Sequence, residues 1–220
     1  MDISRALAYI TDDEDWLQKL LIGGLLSLIP IVGQIWALGY VTQVLKNIIE
    51  GRESPLPELI DDFGDKLIQG LLVSIMMIVY ALPLILVATV FGIGIGAVTA
   101  GAGDADVADA LAAIMGSCLG LAVMVLGILT GLFVPYAWSN YAKSGQIGEA
   151  FKLGEIWGMF KANIGQTLLT LLVLAVLGAI AGSVGAAACG IGAAFTTFYT
   201  QLVTSFLYGK LYLGAKAKTQ

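Results

Sequence analysis

Long apolar stretches separated by short polar or glycine-rich connectors set the pattern of this chain, and their lengths fall in the range of membrane-crossing helices. The first, residues 17–45, is about 29 residues, or about 43 Å as one helix, against a hydrocarbon thickness of roughly 30 Å. It is interrupted at its midpoint by Ile29-Pro30-Ile31-Val32-Gly33, where proline removes a backbone hydrogen bond and glycine permits a turn. Two readings follow, with length favouring the first: a re-entrant hairpin of two half-helices, or one kinked helix that makes a fifth span. Ahead of it, residues 3–10 place Ile3, Ala6, Leu7 and Ile10 at helical spacing, as in a short amphipathic helix at a membrane surface. Thr11-Asp12-Asp13-Glu14 reads as a capping box that starts the next helix, with Trp16 at the interface level.

After residue 50 the segment Gly51-Arg52-Glu53-Ser54-Pro55-Leu56-Pro57-Glu58 is the clearest polar punctuation, a loop followed by a helix start. The pattern therefore predicts an all-α, polytopic membrane protein forming one membrane domain over residues 1–220. Its parts are an N-terminal amphipathic segment (1–15), the interrupted apolar helix (16–50), a cytoplasmic loop (51–66) and four clear transmembrane helices at 67–100, 109–138, 165–183 and 191–211. Orientation follows from the cations. Lys46, Arg52 and Lys66, then Lys143, Lys152 and Lys161, then Lys210, Lys216 and Lys218 mark two connectors and the tail as cytoplasmic, while the connectors at 101–107 and 183–189 carry no Lys or Arg and face outward. A multi-pass protein of the cell membrane, its main loops and C-terminus in the cytoplasm, is the expectation.

Composition strengthens that reading. The chain is 58% hydrophobic and 12% charged, where a soluble domain carries roughly 25% charged residues, too few to clothe several buried apolar helices. The net charge of −5 arises from acids clustered in connectors, and no polybasic block offers nucleic acid an electrostatic footprint. Residues 1–10 lack the basic start and apolar stretch of a cleaved signal, so the first apolar helix is expected to direct targeting. Cys118 and Cys189 lie in or beside apolar segments and read as small packing residues, a disulfide between them being the minor alternative.

Candidate chemistry is sparse. The chain contains no histidine, which removes every Ser-His, Cys-His and His-metal arrangement. Glu58, Asp61, Asp62 and Asp65 read as the solvated acids of a surface helix rather than a cation site, and Gly92, Gly94 and Gly96 lack the strand and lysine of a phosphate loop. No catalytic, cofactor-binding or metal residue is assigned, and an enzyme is not expected. Four glycine pairs spaced four apart, Gly92 and Gly96, Gly116 and Gly120, Gly127 and Gly131, Gly178 and Gly182, mark helix faces that admit a close neighbour, within the chain or in another. On the last apolar stretch Thr197, Thr200, Gln201, Thr204 and Tyr208 form a polar row that suits hydrogen bonding to a neighbouring helix better than a polar path. The expected partners are the lipid bilayer and either further copies of the chain or another membrane protein. The function expected is therefore that of a self-assembling protein or an accessory subunit of a membrane complex, with a channel or permease for a small uncharged solute as the alternative.

Residues 16–24 (Trp-Leu-Gln-Lys-Leu-Leu-Ile-Gly-Gly), Leu28-Ile29-Pro30-Ile31-Val32-Gly33, Gly39-Tyr40, Asn47-Ile48-Ile49-Glu50-Gly51, Pro55-Leu56-Pro57-Glu58 and Asp61-Asp62-Phe63-Gly64 resemble the bacterial and archaeal membrane proteins grouped as domain of unknown function 4013. The resemblance is specific over about residues 10–75. It implies a polytopic helical membrane protein and no particular activity, and makes Pro57 and Gly64 candidates for a shared structural device.

Overall fold

In the computed structural model, which describes residues 3–187 and 191–219, every regular element is helical and none of the described residues forms a strand. The chain divides into two units, Met1–Met76 with Phe133–Gln220, and Met77–Leu132.

The first unit holds the buried core. It opens with α1 (Ile3–Ala8) and a 3-10 turn at Tyr9–Asp12. Ala6, Tyr9 and Ile10 are buried, and the Tyr9 hydroxyl donates to the carbonyl of Leu202 at 2.7 Å, so this segment packs its apolar face on protein. The surface-lying helix expected here is replaced by a docked one, because an amphipathic pattern shows which face is apolar and not what covers it. The expected capping box does not form: the Thr11 hydroxyl donates to Ala8 within the preceding turn, and the Asp13 carboxylate instead accepts from the amide of Asp15, ahead of α2 (Trp16–Ser27).

The long apolar run breaks where proline and glycine predict. Helix α2 ends at Ser27 and α3 (Val32–Glu50) begins four residues beyond Leu28, with Ile31 at a φ of 64°, a conformation rare for a β-branched residue. The Gln34 amide closes the break by donating to the Ser27 carbonyl at 2.6 Å, which would otherwise lack a partner at the helix end. Gly33 sits so close to the α2 terminus that a Cβ there would lie 1.9 Å from the Leu26 carbonyl oxygen. At its far end α3 stops at Gly51, left-handed at φ 75°, while the Arg52 amide bonds Asn47 across the turn.

Next come α4 (Phe63–Gly101) and α5 (Ala105–Ser144), each starting or ending in the first unit. A 3-10 turn at Ile147–Phe151 leads to α6 (Leu153–Ala162), which buries Ile156, Met159 and Phe160. Helices α7 (Ile164–Ala187) and α8 (Ile191–Thr219) complete the unit. The connector expected to be irregular between residues 138 and 165 is thus mostly helical.

The second unit is the hairpin made by the remainder of α4 and α5. The Asp104 carboxylate accepts from the amides of Asp106 and Val107, satisfying first-turn donors of α5. Thr130 donates to the Tyr80 carbonyl at 3.5 Å. Its surface is apolar: Leu86, Val90, Ile93, Ile114 and Leu121 are each more than 60% exposed.

Three described helices are long and apolar enough to cross a membrane: Phe63–Gly101, Ala105–Ser144 and Ile164–Gly185. Of the four crossings expected from the sequence, those at 67–100, 109–138 and 165–183 fall on these helices, and the fourth, at 191–211, is not confirmed on these grounds. Helix α8 is not among them, because Thr196, Thr197, Thr200, Gln201, Thr204 and Ser205 dilute its apolar run.

Candidate functional site

Glycines decide how the first unit closes. At Gly23 and Gly24 of α2 a Cβ would stand 2.2 and 2.3 Å from the rings of Phe198 and Phe195, so two adjacent bare positions on the helix receive two aromatic side chains of α8. Gly39 of α3 and Gly70 of α4 make a reciprocal backbone contact. A Cβ on Gly39 would lie 1.7 Å from the Lys66 carbonyl oxygen, and one on Gly70 would lie 1.7 Å from that of Ile35. Around these contacts Trp36, Tyr40, Phe63 and Phe198 stack with centroids 5.4 to 6.4 Å apart, and Tyr9 stacks on Phe206 at 4.7 Å. Two polar atoms inside this packing, Trp36 Nε1 and Gln201 Oε1, have no hydrogen-bond partner.

The loop before α4 is fastened by buried charge. Lys66 is 1% exposed, and its ammonium donates to the backbone carbonyls of Glu58 at 2.5 Å, Leu59 at 3.3 Å and Asp61, while lying 5.9 Å from the centre of the Tyr40 ring. Asn47 donates to Pro55 and Tyr40 to Pro57, so α3 holds both prolines of the loop. On the other side Lys19 pairs with Asp13 at 2.9 Å and Glu58 at 3.4 Å, and Ser54 donates to Asp13. Burial opposes ionisation of Asp13, but the Lys19 ammonium, the Ser54 hydroxyl and the Asp15 amide outweigh it and hold the carboxyl below its usual 3.8. At the opposite end of the core, Tyr136 and Thr167 share a hydrogen bond of 2.7 Å, Asn163 bridges to Leu211, and Lys218 donates to Asn163. Each of these polar groups joins helices or loops. Among the described residues no three acids or cysteines stand together as a metal site.

Residues 22–190 match the family described as a protein of unknown function (DUF4013). The chain belongs to that family. The matched region runs from within α2 through α7 and includes the Pro30 break, the Lys66-bound loop and the Gly39–Gly70 contact, while α8 lies beyond it. No curated protein and no solved structure matches the chain.

The family's description carries no activity, so the candidate residues are judged by their surroundings. Gly92, Gly96, Gly116, Gly120, Gly131, Gly178 and Gly182 face open space, with nothing within 4 Å of an added Cβ; at Gly127 the nearest atom is a Leu84 methyl at 3.9 Å. The structure does not bring these four pairs against the chain's own backbone. The glycines at which an added Cβ would come within 3.0 Å of a neighbour, Gly23, Gly24, Gly33, Gly39, Gly70, Gly185 and Gly209, are not the pairs that spacing singled out. The polar row of α8 mostly bonds its own helix: Thr200 donates to Thr196, and Thr204 to Thr200, each one turn back. Thr197 is exposed, and Tyr208 is buried edge-on to Trp138, with ring centres 6.1 Å apart. Only Gln201 in this row keeps a buried unpaired oxygen. Cys118 is exposed with a free thiol; Cys189 lies outside the described residues.

Proposed function

We propose that this protein is a non-enzymatic integral protein of the cell membrane that crosses the bilayer with α4, α5 and α7 and assembles with copies of itself or with another membrane protein. The observation that carries the proposal is the outward aim of the glycine pairs. Four pairs at helix-face spacing lie on the three helices apolar enough to span, whose most apolar windows are only 6% to 11% buried within the chain. Small residues at this spacing let a neighbouring helix approach closely, and lipid gains nothing from their absence of side chain. The distribution of Lys and Arg supports a cytoplasmic location for the loop around residue 52, the α6 region and the C-terminal tail.

The alternative of a channel for a small uncharged solute draws its support from Gln201, whose amide oxygen has no partner. It is weaker, because the neighbouring threonine hydroxyls donate to their own helix rather than toward a path. The test is to replace Gly116 and Gly120 together by leucine, and Gly127 and Gly131 together by leucine, and compare the size of the detergent-extracted particle. Loss of assembly with an unchanged helical spectrum is the expected result; unchanged assembly in both double variants contradicts the proposal.

A further inference from the structure

Asp65 and Gln69 stand one turn apart on α4, and face Lys46, on α3, across an open cleft of about 210 Å³ that the C-terminal end of α5 closes with Tyr141. That volume lies below the roughly 300–1,000 Å³ of pockets that enclose drug-sized ligands, so it suits a small polar group. Three of its polar side chains make no hydrogen bond or ion pair with a described residue. Tyr141 is 2% exposed as a residue, and its hydroxyl bonds no described residue but keeps contact with solvent, so it is free to meet a ligand where the residue lines the cleft. The Asp65 carboxylate and Gln69 amide likewise bond no described residue. Lys46 reaches only Glu50, at 3.9 Å, too long for a hydrogen bond. Thr42, by contrast, is engaged: it accepts from the Trp138 indole and donates to Leu38.

A cation and an anion that line one cleft without pairing with each other match a ligand that carries both signs. The chemistry beside them is apolar. Ile68, 60% exposed, and Leu72 form the edge of the cleft, where α4 passes into its charge-free run. We propose that this cleft binds the phosphate–amine head group of a zwitterionic phospholipid, its phosphate toward Lys46 and the Tyr141 hydroxyl and its primary ammonium toward Asp65 and the Gln69 carbonyl. The ammonium must be primary, because only N–H groups donate to a carboxylate; a trimethylated amine of the same charge does not. The acyl chains follow Ile68 and Leu72 along α4. This inference rests on the membrane reading and is independent of assembly.

The test uses the full chain in mild detergent, titrated with phosphatidylethanolamine, phosphatidylcholine or phosphatidylglycerol of identical acyl chains, with lipid retention read by native mass spectrometry and stability by thermal unfolding. Phosphatidylethanolamine is expected to be retained at least tenfold more strongly than the other two and to raise the melting temperature. Asp65→Asn is expected to remove that preference, and Tyr141→Phe, which keeps the ring in place, to weaken retention of all three lipids, each variant unfolding without added lipid at the wild-type temperature. Equal retention of the three lipids, a preference that persists in Asp65→Asn, or retention left unchanged by Lys46→Gln overturns the proposal. Soluble phosphoethanolamine distinguishes the source: if it stabilises as well as the lipid at equal concentration, the lipid assignment is overturned and a free zwitterion is the ligand. A chain that incorporates into no lipid bilayer fails the membrane reading itself; one that incorporates without preference fails only the head-group site.

Discussion

Gly39→Ala should be among the most damaging single methyl additions in the chain, because the atom it adds meets backbone on the facing helix. The new Cβ would stand 1.7 Å from the Lys66 carbonyl oxygen, and no side-chain rotation relieves a clash with a main-chain atom. Ordinary contact begins near 3.4 Å, so α3 and α4 must part locally by about 1.7 Å. Parting them strips packing from Trp36, Tyr40 and Val73, all buried without measurable exposure, and moves the helix that carries Lys66. Overpacking ordinarily costs about 1–3 kcal/mol, and the backbone clash places this variant at or above the upper end, about 3 kcal/mol. For a chain of this size that corresponds to a fall of roughly 6–12 °C in melting temperature. Gly70→Ala should cost a similar amount by the same contact, and the double variant less than the sum, since one separation relieves both clashes. Gly158→Ala in α6 is the control: it meets open space and should be neutral or slightly stabilising, by up to about 1 kcal/mol from helix propensity. Thermal unfolding in detergent followed by tryptophan fluorescence reads all four. A Gly39→Ala protein that melts within 2 °C of wild type, or no more than 2 °C below Gly158→Ala, refutes the reasoning.

Lys66→Met removes the donor to the carbonyls of Glu58, Leu59 and Asp61, at roughly 1 kcal/mol or more for each acceptor left dry, and should make the 51–62 loop the first site of limited proteolysis; a cleavage pattern like wild type counts against the carbonyl cage. The folded state holds Asp13 below its usual 3.8, so its contribution to stability is complete above that pH and lost as pH falls through the lowered folded value; Asp13→Asn should flatten the acid limb of melting temperature against pH, and an unchanged limb contradicts the assignment. Gln201→Leu removes a buried unpaired oxygen and should leave the melting temperature equal or higher, while a marked loss of stability shows that the amide has a partner in the folded protein.

Much of the architecture was legible because apolar run length and proline position act locally. The break at Pro30, the turn at Gly51 and the two long apolar helices beginning near residue 67 and residue 109 follow from rules that involve only nearby residues. The helices themselves run further, to Phe63 and Ala105 at their starts, because the flanking polar residues are compatible with helix and the apolar pattern marks only the stretch long and apolar enough to span. What escaped depends on partners distant in sequence. Lys66 counts as a cytoplasmic cation in a charge census, yet it is buried, because the loop 58–61 folds its carbonyls around the ammonium. Gly39 and Gly70 belong to no four-spaced pair, so a search within single helices passes over them; they matter because each faces the other's helix. The Asp65–Gln69 spacing was present in the sequence as a one-turn pair, but only the approach of α3 and α5 makes it one wall of a cleft. Helix α8 shows the converse. By spacing its polar row suits hydrogen bonds to a neighbouring helix better than a path, yet Thr200 and Thr204 are satisfied by the backbone one turn back in their own helix.

The central claim, assembly through glycine faces left bare by the chain itself, is tested most directly by the mass and composition of the particle extracted from its native membrane in mild detergent. The account predicts a particle containing more than one 23.0 kDa chain, or this chain with a second membrane protein, that falls to a single chain when Gly116 and Gly120 are both replaced by leucine. A particle that contains one 23.0 kDa chain alone before any substitution would contradict it.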